Sequence, residues 1–331
     1  VKAWIVERNG DPADVLTWAD VPDVSPGPGQ IKVRVTAAAL NFPDILLAQG
    51  KYQVTPTLPF TPGVEVAGEV VELGEGVTNW KVGDRVFGGP HSDAGAGGGY
   101  QEFALMSADD AFAVPEGMPD EKAAGYLLTY QTSWVALHTR GQITEGDWVL
   151  VHAGAGGVGS AAIQIAKAAG AKVIATAGGP DKKQVCLDLG ADVAVDYNSE
   201  DFVAVVKDVT DGHGADIVYD PVGGDVYDKS TKCIAFEGRI LIIGFTSGRM
   251  AQAATNHLLV KNYSAVGVHW GYYRKMRPEV IPEADAALAK LYAGGQIDPY
   301  ISRTYSFSEL PEALTALGSR KTTGKVVVVP D

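Results

Sequence analysis

Cysteine is nearly absent from this chain: Cys186 and Cys233 are the only two in 331 residues. Two thiols exclude a disulfide framework and a cysteine-rich zinc site, and they fit a reducing, cytoplasmic location. Basic charge is also short. There are 27 Lys and Arg against 40 Asp and Glu, a formal net charge of −13, which argues against a nucleic-acid partner, since phosphate binding needs a basic face. No apolar run approaches the roughly 20 residues of a membrane span. The N-terminus carries no signal-peptide pattern, so no membrane association is expected. Internal repeats and low-complexity tracts are missing. No pair among the six histidines has metal-ligand spacing, and no metal is expected.

What is present is ample apolar content, 46% of residues, and length for about two domains. Residues 1–120 read as β-rich. Strand-like runs at Lys2–Glu7, Ile31–Ala39, Glu65–Leu73, Arg85–Gly88 and Tyr100–Met106 are broken by turns such as Pro26-Gly27-Pro28-Gly29. Residues 121–267 alternate. Strands at Trp148–His152, Val173–Thr176, Val193–Asp196, Ile217–Asp220, Ile240–Gly244 and Ala265–Val268 are interleaved with helical patterns near 157–169, 180–188 and 199–207. Alternation with short turns predicts an α/β unit with a doubly wound parallel sheet. Residues 268–331 hold a helical pattern through Ile281–Ala293, a strand at Ile301–Ser306, a helix near 308–317 and a strand at Val326–Val329. These short strands predict that the C-terminal segment returns to the N-terminal β domain.

The densest chemical signal is Trp148-Val149-Leu150-Val151-His152-Ala153-Gly154-Ala155-Gly156-Gly157-Val158-Gly159-Ser160, with an Ala-rich helix after it. A buried strand, a glycine-rich turn and a helix start form the site where a dinucleotide's pyrophosphate sits. Gly154 is expected to permit the tight turn, Gly156 to let backbone N–H groups of Gly157 and Val158 approach phosphate, and Gly159 to let the helix pack closely. The second strand ends at Thr176-Ala177-Gly178-Gly179. An NAD site places an acid there to bond the ribose 2′-hydroxyl; here Ala177 stands at that point, and Lys182 or Lys183 follows within reach of a 2′-phosphate. NADPH is therefore the expected cofactor. Asp181, at a helix start, is read as complementing the helix dipole.

Other candidates have plainer readings. The cluster Gly95–Gly99 precedes a strand pattern rather than a helix, so it lacks an anion site; it reads as a mobile loop, with a lid over the cleft as the functional alternative. His152 reads as a packed residue and His91 as solvated. His269, beside Trp270, Tyr272 and Tyr273, belongs either to a cleft or to an interdomain or dimer contact. Asp44, Glu65 and Asp84 read as turn bonds or ion pairs, and both cysteines as buried, inert thiols.

Taken together, Ala39-Leu40-Asn41-Phe42-Pro43-Asp44, Pro62-Gly63-Val64-Glu65-Val66-Ala67-Gly68, Val82-Gly83-Asp84-Arg85-Val86, Leu128-Thr129-Tyr130-Gln131-Thr132-Ser133-Trp134, the glycine turn, Leu189-Gly190-Ala191-Asp192 and Gly324-Lys325-Val326-Val327 resemble the medium-chain dehydrogenase/reductase superfamily. Within it they resemble the zinc-free quinone oxidoreductases, over essentially the whole chain. The zinc enzymes' ligand positions match Asn41, Val64 and Leu128 here, none of them a zinc-ligand type. The resemblance implies a Rossmann domain over residues 121–267 and a GroES-like catalytic domain over 1–120 joined by 268–331, with the active site in the cleft between domains. It implies that Asn41 and Thr129 lie beside the nicotinamide, as do Gly244, Phe245 and Thr246. It places Gly178, Lys182 and Tyr197 around the adenosine 2′-phosphate. Tyr52 matches a tyrosine of related quinone reductases and is the candidate donor to the developing oxyanion; its bland role is a packing or rim tyrosine. Asn41 is a second donor candidate, with loop capping as its bland role. The implied reaction is hydride transfer from NADPH to a quinone or an α,β-unsaturated carbonyl, by a homodimer joined near Ala265–Val268. Two alternatives stay open: reduction of an enoyl thioester, with a basic groove from Arg249, Lys261, Arg274, Lys275 and Arg277, and a non-enzymatic, crystallin-like NADPH-binding role.

Overall fold

The computed structural model describes residues 1–52, 55–90 and 97–331. His91 and Gly95 lie outside the described residues. The chain divides into two compact units, Val1–Leu128 with Ile301–Asp331, and Thr129–Tyr300.

The first unit opens with the hairpin β1 (Lys2–Val6) and β2 (Leu16–Asp20), linked by the short helix α1 (Pro12–Val15). Then come β3 (Gln30–Ala39), α2 (Phe42–Ala48), β4 (Val66–Leu73), β5 (Arg85–Gly88), β6 (Phe103–Ser107), β7 (Ala111–Ala113) and α3 (Asp120–Ala124). The helix α4 (Leu127–Trp134) crosses into the second unit at Thr129 and runs on into a π-helical turn at Val135–Arg140.

In the second unit β8 (Trp148–Val151), α5 (Gly157–Ala168), β9 (Lys172–Ala177), α6 (Pro180–Asp188), β10 (Val193–Asp196), α7 (Phe202–Val209), β11 (Ala215–Asp220), α8 (Gly224–Ser230), β12 (Ile234–Ile242), α9 (Thr255–Lys261) and β13 (Ser264–Gly267) alternate. The helices α10 (Trp270–Met276) and α11 (Val280–Ala293) close it. The chain then re-enters the first unit as β14 (Ile301–Ser306), α12 (Leu310–Gly318) and β15 (Lys325–Val329).

The second unit's sheet is parallel, with strand order β10-β9-β8-β11-β12-β13. Winding starts at β8, proceeds outward through β9 and β10, then crosses to β11 and proceeds outward again. The order therefore reverses between β8 and β11, the switch point at which doubly wound sheets bind ligands. Its strands are apolar on both faces, as Val149, Leu150, Val173, Ile174, Ile217 and Val218 show by being fully buried, which parallel strands covered by helices require.

The first unit's sheet runs β14-β15-β3-β4-β5-β7, with β6 also paired to β3. Its core gathers Ile31, Val33, Val35, Val66, Val70, Val86 and Met106 with Phe307, Leu310, Val326 and Val328 from the returning segment. β15 pairs antiparallel with β3, Val327 opposite Ala39 and Val328 opposite Ala38, and the Leu40 amide bonds the Val326 carbonyl. That register sets Lys325 beside Asn41.

Two boundaries differ from expectation. Residues 268–300, assigned from sequence to the returning segment, belong to the second unit. Gln164 on α5 bonds both backbone groups of Asp298, Trp270 donates its indole N–H to Gln131, and α11 buries Val280, Ile281, Ala284 and Leu288. The second unit begins at Thr129 rather than at residue 121, and helices form over residues 120–140, where none was foreseen.

Candidate active site

The glycine turn follows β8, and α5 begins at Gly157 with Gly156 as its N-cap residue. The turn's left-handed residue is Ala153 (φ 50°), not Gly154. Gly154 is required for space instead: a Cβ there would lie 2.9 Å from both Ala175 Cβ and Cys186 Sγ. Gly159 is tighter still, since its Cβ would sit 2.2 Å from the Ala153 carbonyl oxygen. So the first turn of α5 lies directly against the backbone of the preceding turn. At Gly156 a Cβ would meet only that same oxygen, at 3.2 Å, which leaves this face of the turn open. Gly156 N–H is spent on the Ala153 carbonyl, but the N–H groups of Gly157, Val158 and Gly159 lie in the first helical turn and have no intrahelical acceptor. An open cradle with three amides at a helix N-terminus fits a pyrophosphate.

The same sheet edge carries the other nucleotide candidates, because parallel strands end together. β9 ends at Ala177, buried and directly opposite Asp196. Gly178 lies under the Tyr197 ring, whose hydroxyl would be 2.5 Å from a Cβ at that position; Tyr197 itself is exposed. Lys182 and Lys183 differ. Lys183 is ion-paired to Glu200 at 2.8 Å, and Lys182 is its half-buried neighbour in the first turn of α6. Asp196 accepts from the amides of Gly179 and Asn198, and these bonds hold its carboxyl below the usual range. Its charge braces the β9–α6 turn.

Gly244, Phe245 and Thr246 follow β12 on the same edge. Thr246 donates its amide and its hydroxyl to the Pro221 carbonyl, both at 3.1 Å. The Pro221 turn is in turn fixed by Asp220 Oδ1, which accepts from Val222 and Gly223. Asp220 Oδ2 is buried without a partner, and burial pushes this carboxyl up. Thr129, in the first turn of α4, is buried. His152 is packed, as expected: its ring nitrogens meet Thr176 Oγ1 and Ser230 Oγ at 2.9 and 2.8 Å, and burial pushes it down to about 3, so it is neutral.

The first unit holds a second polar cluster, built where β3 meets α2. Pro43 suits the first turn of α2, and Asp44, three residues into it, bonds the Asn41 N–H at 2.8 Å and accepts from Tyr100 Oη at 2.8 Å and Gly63 N at 3.2 Å. Burial lifts Asp44 to about 6 against those hydrogen bonds. Beyond the capping box that it forms with Asp44, the Asn41 side chain has other partners. Its Nδ2 donates to Glu65 Oε1 at 2.9 Å and to the Ala39 carbonyl at 3.3 Å, while its Oδ1 accepts from Lys325 Nζ at 2.6 Å. Lys325 Nζ also bonds the Leu40 carbonyl at 2.9 Å and Glu65 Oε1 at 2.6 Å. Glu65 Oε2 accepts from Leu128 N. Both Asn41 amide hydrogens are thus engaged, which corrects the expectation of a free donor there.

Tyr52 is half-buried against Val6, Val15, Leu47, Ala48 and Phe60. Burial, with the Asp44 charge second, raises its phenol, so the hydroxyl keeps its proton at neutral pH. Lys325 escaped the sequence reading as a site residue. The available signal was a lysine at the head of an otherwise apolar strand, Lys325-Val326-Val327-Val328-Val329, because a buried ammonium demands counter-charges. Among the described residues no group of three His, Cys, Asp or Glu is placed to hold a metal.

The geometry has counterparts among known proteins. Residues 157–290 match the zinc-binding dehydrogenase family, and residues 27–116 match the alcohol dehydrogenase GroES-like domain. A quinone oxidoreductase-like protein 2 homolog of Nematostella vectensis is 39% identical over 91% of this chain and 82% of its own length. The Escherichia coli quinone oxidoreductase solved in complex with NADPH superposes with a TM-score of 0.91 at 32% identity, covering all of both chains. The CurK enoyl reductase superposes at 0.88 and 28% identity over 100% of this chain and 99% of its own.

Proposed function

The chain belongs to the medium-chain dehydrogenase/reductase superfamily, in its zinc-free quinone oxidoreductase family, and from that membership we propose that it reduces quinones and activated enones with NADPH. One observation carries the cofactor part: the open glycine cradle at the switch point of the second unit's sheet, with Ala177 rather than an acid at the end of β9. The α5 amides receive the pyrophosphate. Gly178, Lys182 and Tyr197 serve the adenosine end, and Thr129, Gly244, Phe245 and Thr246 the nicotinamide end. When bound, NADPH supplies the hydride.

The chain's own task is orientation and charge management. A hydride and one proton convert a quinone to a hydroquinone, or an enone to its saturated carbonyl. The acceptor's carbonyl already withdraws charge, so the residual need is a donor to the developing oxyanion. Tyr52 fills that role, because its raised phenol stays protonated while presenting an O–H. We assign the protein to a cytoplasmic setting, in keeping with two buried free thiols. We also assign it to a homodimer joined at β13, an exposed edge strand of the parallel sheet.

Enoyl-thioester reduction is the second reading, favoured by the likeness to CurK. Three of the five basic residues named for an acyl-CoA groove are engaged elsewhere, which argues against it. Arg249 is held by Asp225 and Asp228, Lys261 by the Thr231 carbonyl and Arg277 by Glu279. Steady-state NADPH consumption with quinones, simple enones and enoyl-CoA esters, with NADH in parallel, tests the proposal. Turnover on quinones or enones with NADPH preferred supports it, and a large advantage for the CoA ester replaces it with the second reading. NADPH binding with no turnover on any acceptor turns it toward a non-enzymatic role. A Tyr52→Phe protein that keeps full turnover removes the donor assignment.

A further inference from the structure

His152 joins β8 to the glycine turn, and the reaction makes no use of it. The residue and its two partners, Thr176 and Ser230, are all buried. Their hydrogen bonds run in one direction. Ser230 donates its only hydroxyl hydrogen to the Val226 carbonyl at 2.7 Å, so its oxygen accepts from His152 Nε2. Nε2 therefore carries the single proton of the neutral ring, which leaves Nδ1 to accept from the Thr176 hydroxyl. The chain Thr176–His152–Ser230–Val226 ties the end of β9, the end of β8 and helix α8 to one another. The Phe202 ring packs against the imidazole, its centroid 4.8 Å away.

The residue after His152 needs such a hold. Ala153 is left-handed (φ 50°), a conformation unfavourable for a residue with a Cβ and kept only where the surroundings impose it. The ladders of β8 stop at Val151. Beyond them the backbone is held by His152 N on the Tyr219 carbonyl and by Gly154 N on the Thr176 carbonyl. The end of β9 has firmer support, since Thr176 and Ala177 also pair with Val195 and Asp196 of β10.

We propose that His152 is a positioning residue for the cofactor: its two ring nitrogens lock the glycine turn against β9 and α8, so that the amides of Gly157, Val158 and Gly159 are set for the pyrophosphate before it arrives. A preformed site binds more tightly, because less has to be ordered on binding. The adenosine end, at Gly178, Lys182 and Tyr197, is carried by the β9–β10 pairing and does not depend on the imidazole. The inference rests on the reading of the glycine turn as the pyrophosphate site.

The test compares binding of NADPH with that of adenosine 2′-monophosphate, which carries the adenosine end of the cofactor but no pyrophosphate. Neither measurement needs turnover. His152→Phe keeps an aromatic ring of similar size and removes both ring nitrogens. It is expected to weaken NADPH about tenfold, the worth of one hydrogen bond, and to leave adenosine 2′-monophosphate unchanged. Ser230→Ala cuts only the Nε2 bond; it should show a smaller loss in the same pattern, and it carries the test if His152→Phe does not fold. Thermal melting of each variant separates stability from affinity. A lower melting temperature with both affinities intact, or an equal loss of both ligands, overturns the positioning role and leaves His152 a packing residue. Gly156→Ala is measured beside them. If it binds NADPH like the parent, the reading of the turn fails, and the role of His152 falls with it. If it weakens NADPH while the His152 and Ser230 variants bind normally, the turn keeps its reading and the positioning role alone is lost. The proton arrangement has its own readout in the parent protein. In protein labelled with ¹⁵N-histidine, His152 should show a protonated Nε2 and an unprotonated Nδ1 at neutral pH, with and without NADPH. The opposite tautomer, or an imidazolium, contradicts the arrangement.

Discussion

Gly156 and Gly159 stand three residues apart in the same turn, yet alanine at the two positions should fail in different ways. At Gly159 the new Cβ would be 2.2 Å from the Ala153 carbonyl oxygen, short of van der Waals contact by about 1 Å or more. Neither partner yields easily, since one is a helix backbone and the other a turn carbonyl. The start of α5 must move, at a cost of about 1–3 kcal/mol for overpacking, offset by about 1 kcal/mol of improved helix propensity. The shift also misaligns the amides of Gly157–Gly159. Gly159→Ala should therefore lose both stability and cofactor. At Gly156 the backbone is extended (φ −86°, ψ 178°), and the Cβ meets only one atom, at 3.2 Å. The fold should change by no more than about 0.5 kcal/mol, but the methyl group covers the face offered to phosphate. Loss of one charge-assisted hydrogen bond, about 1.5–3 kcal/mol, corresponds to weaker NADPH binding by roughly ten- to a hundredfold. Thermal melting paired with NADPH titration reads both quantities. A Gly156→Ala protein that binds NADPH as tightly as the parent would refute the placement of the pyrophosphate.

Three further outcomes are expected. Ala177→Asp should weaken NADPH about tenfold or more while sparing NADH, because a carboxylate at the end of β9 repels a 2′-phosphate; equal effects on both would contradict the adenosine-end assignment. Burial alone raises Asp285 from 3.8 to about 7, so the folded chain holds a proton that the unfolded chain has already released. Stability should fall as pH rises from about 4 to about 7, with Asp44 adding to the fall up to about 6. Asp285→Asn should flatten that slope and stabilise the protein at pH 8 by up to about 4 kcal/mol, and an unchanged melting profile would show the carboxyl to be solvated. Lys325→Met should cost about 3–5 kcal/mol by stranding Glu65, and adding Glu65→Gln should recover most of it in chemical denaturation; no recovery would mean that packing, not charge, sets the penalty.

The second unit was the more legible half. Its strands are short apolar runs separated by helical patterns, and residues 193–196 and 180–188 form the elements expected of them because local pattern and burial agree there. The stretch 127–140 was missed because an apolar helix buried on several sides shows little periodicity. The glycine turn was recognisable, but the reason for each glycine was not. Spacing suggested that Gly154 makes the turn, whereas Ala153 takes the left-handed conformation and Gly154 makes room for Ala175 and Cys186. The Lys325 cluster was missed for a different reason. It joins residues 41, 65 and 325, brought together by the β3–β4 and β3–β15 registers; the lysine heading an apolar strand was a local hint, but its partners leave no mark in a single sequence.

The central claim is hydride transfer from NADPH, and deuterium tracing tests it most directly. NADPH deuterated at the transferring position of the nicotinamide ring should yield a saturated carbonyl product carrying the label on carbon when a simple enone is the acceptor, faster than equally labelled NADH does. Tight NADPH binding with no label in any product would contradict the account.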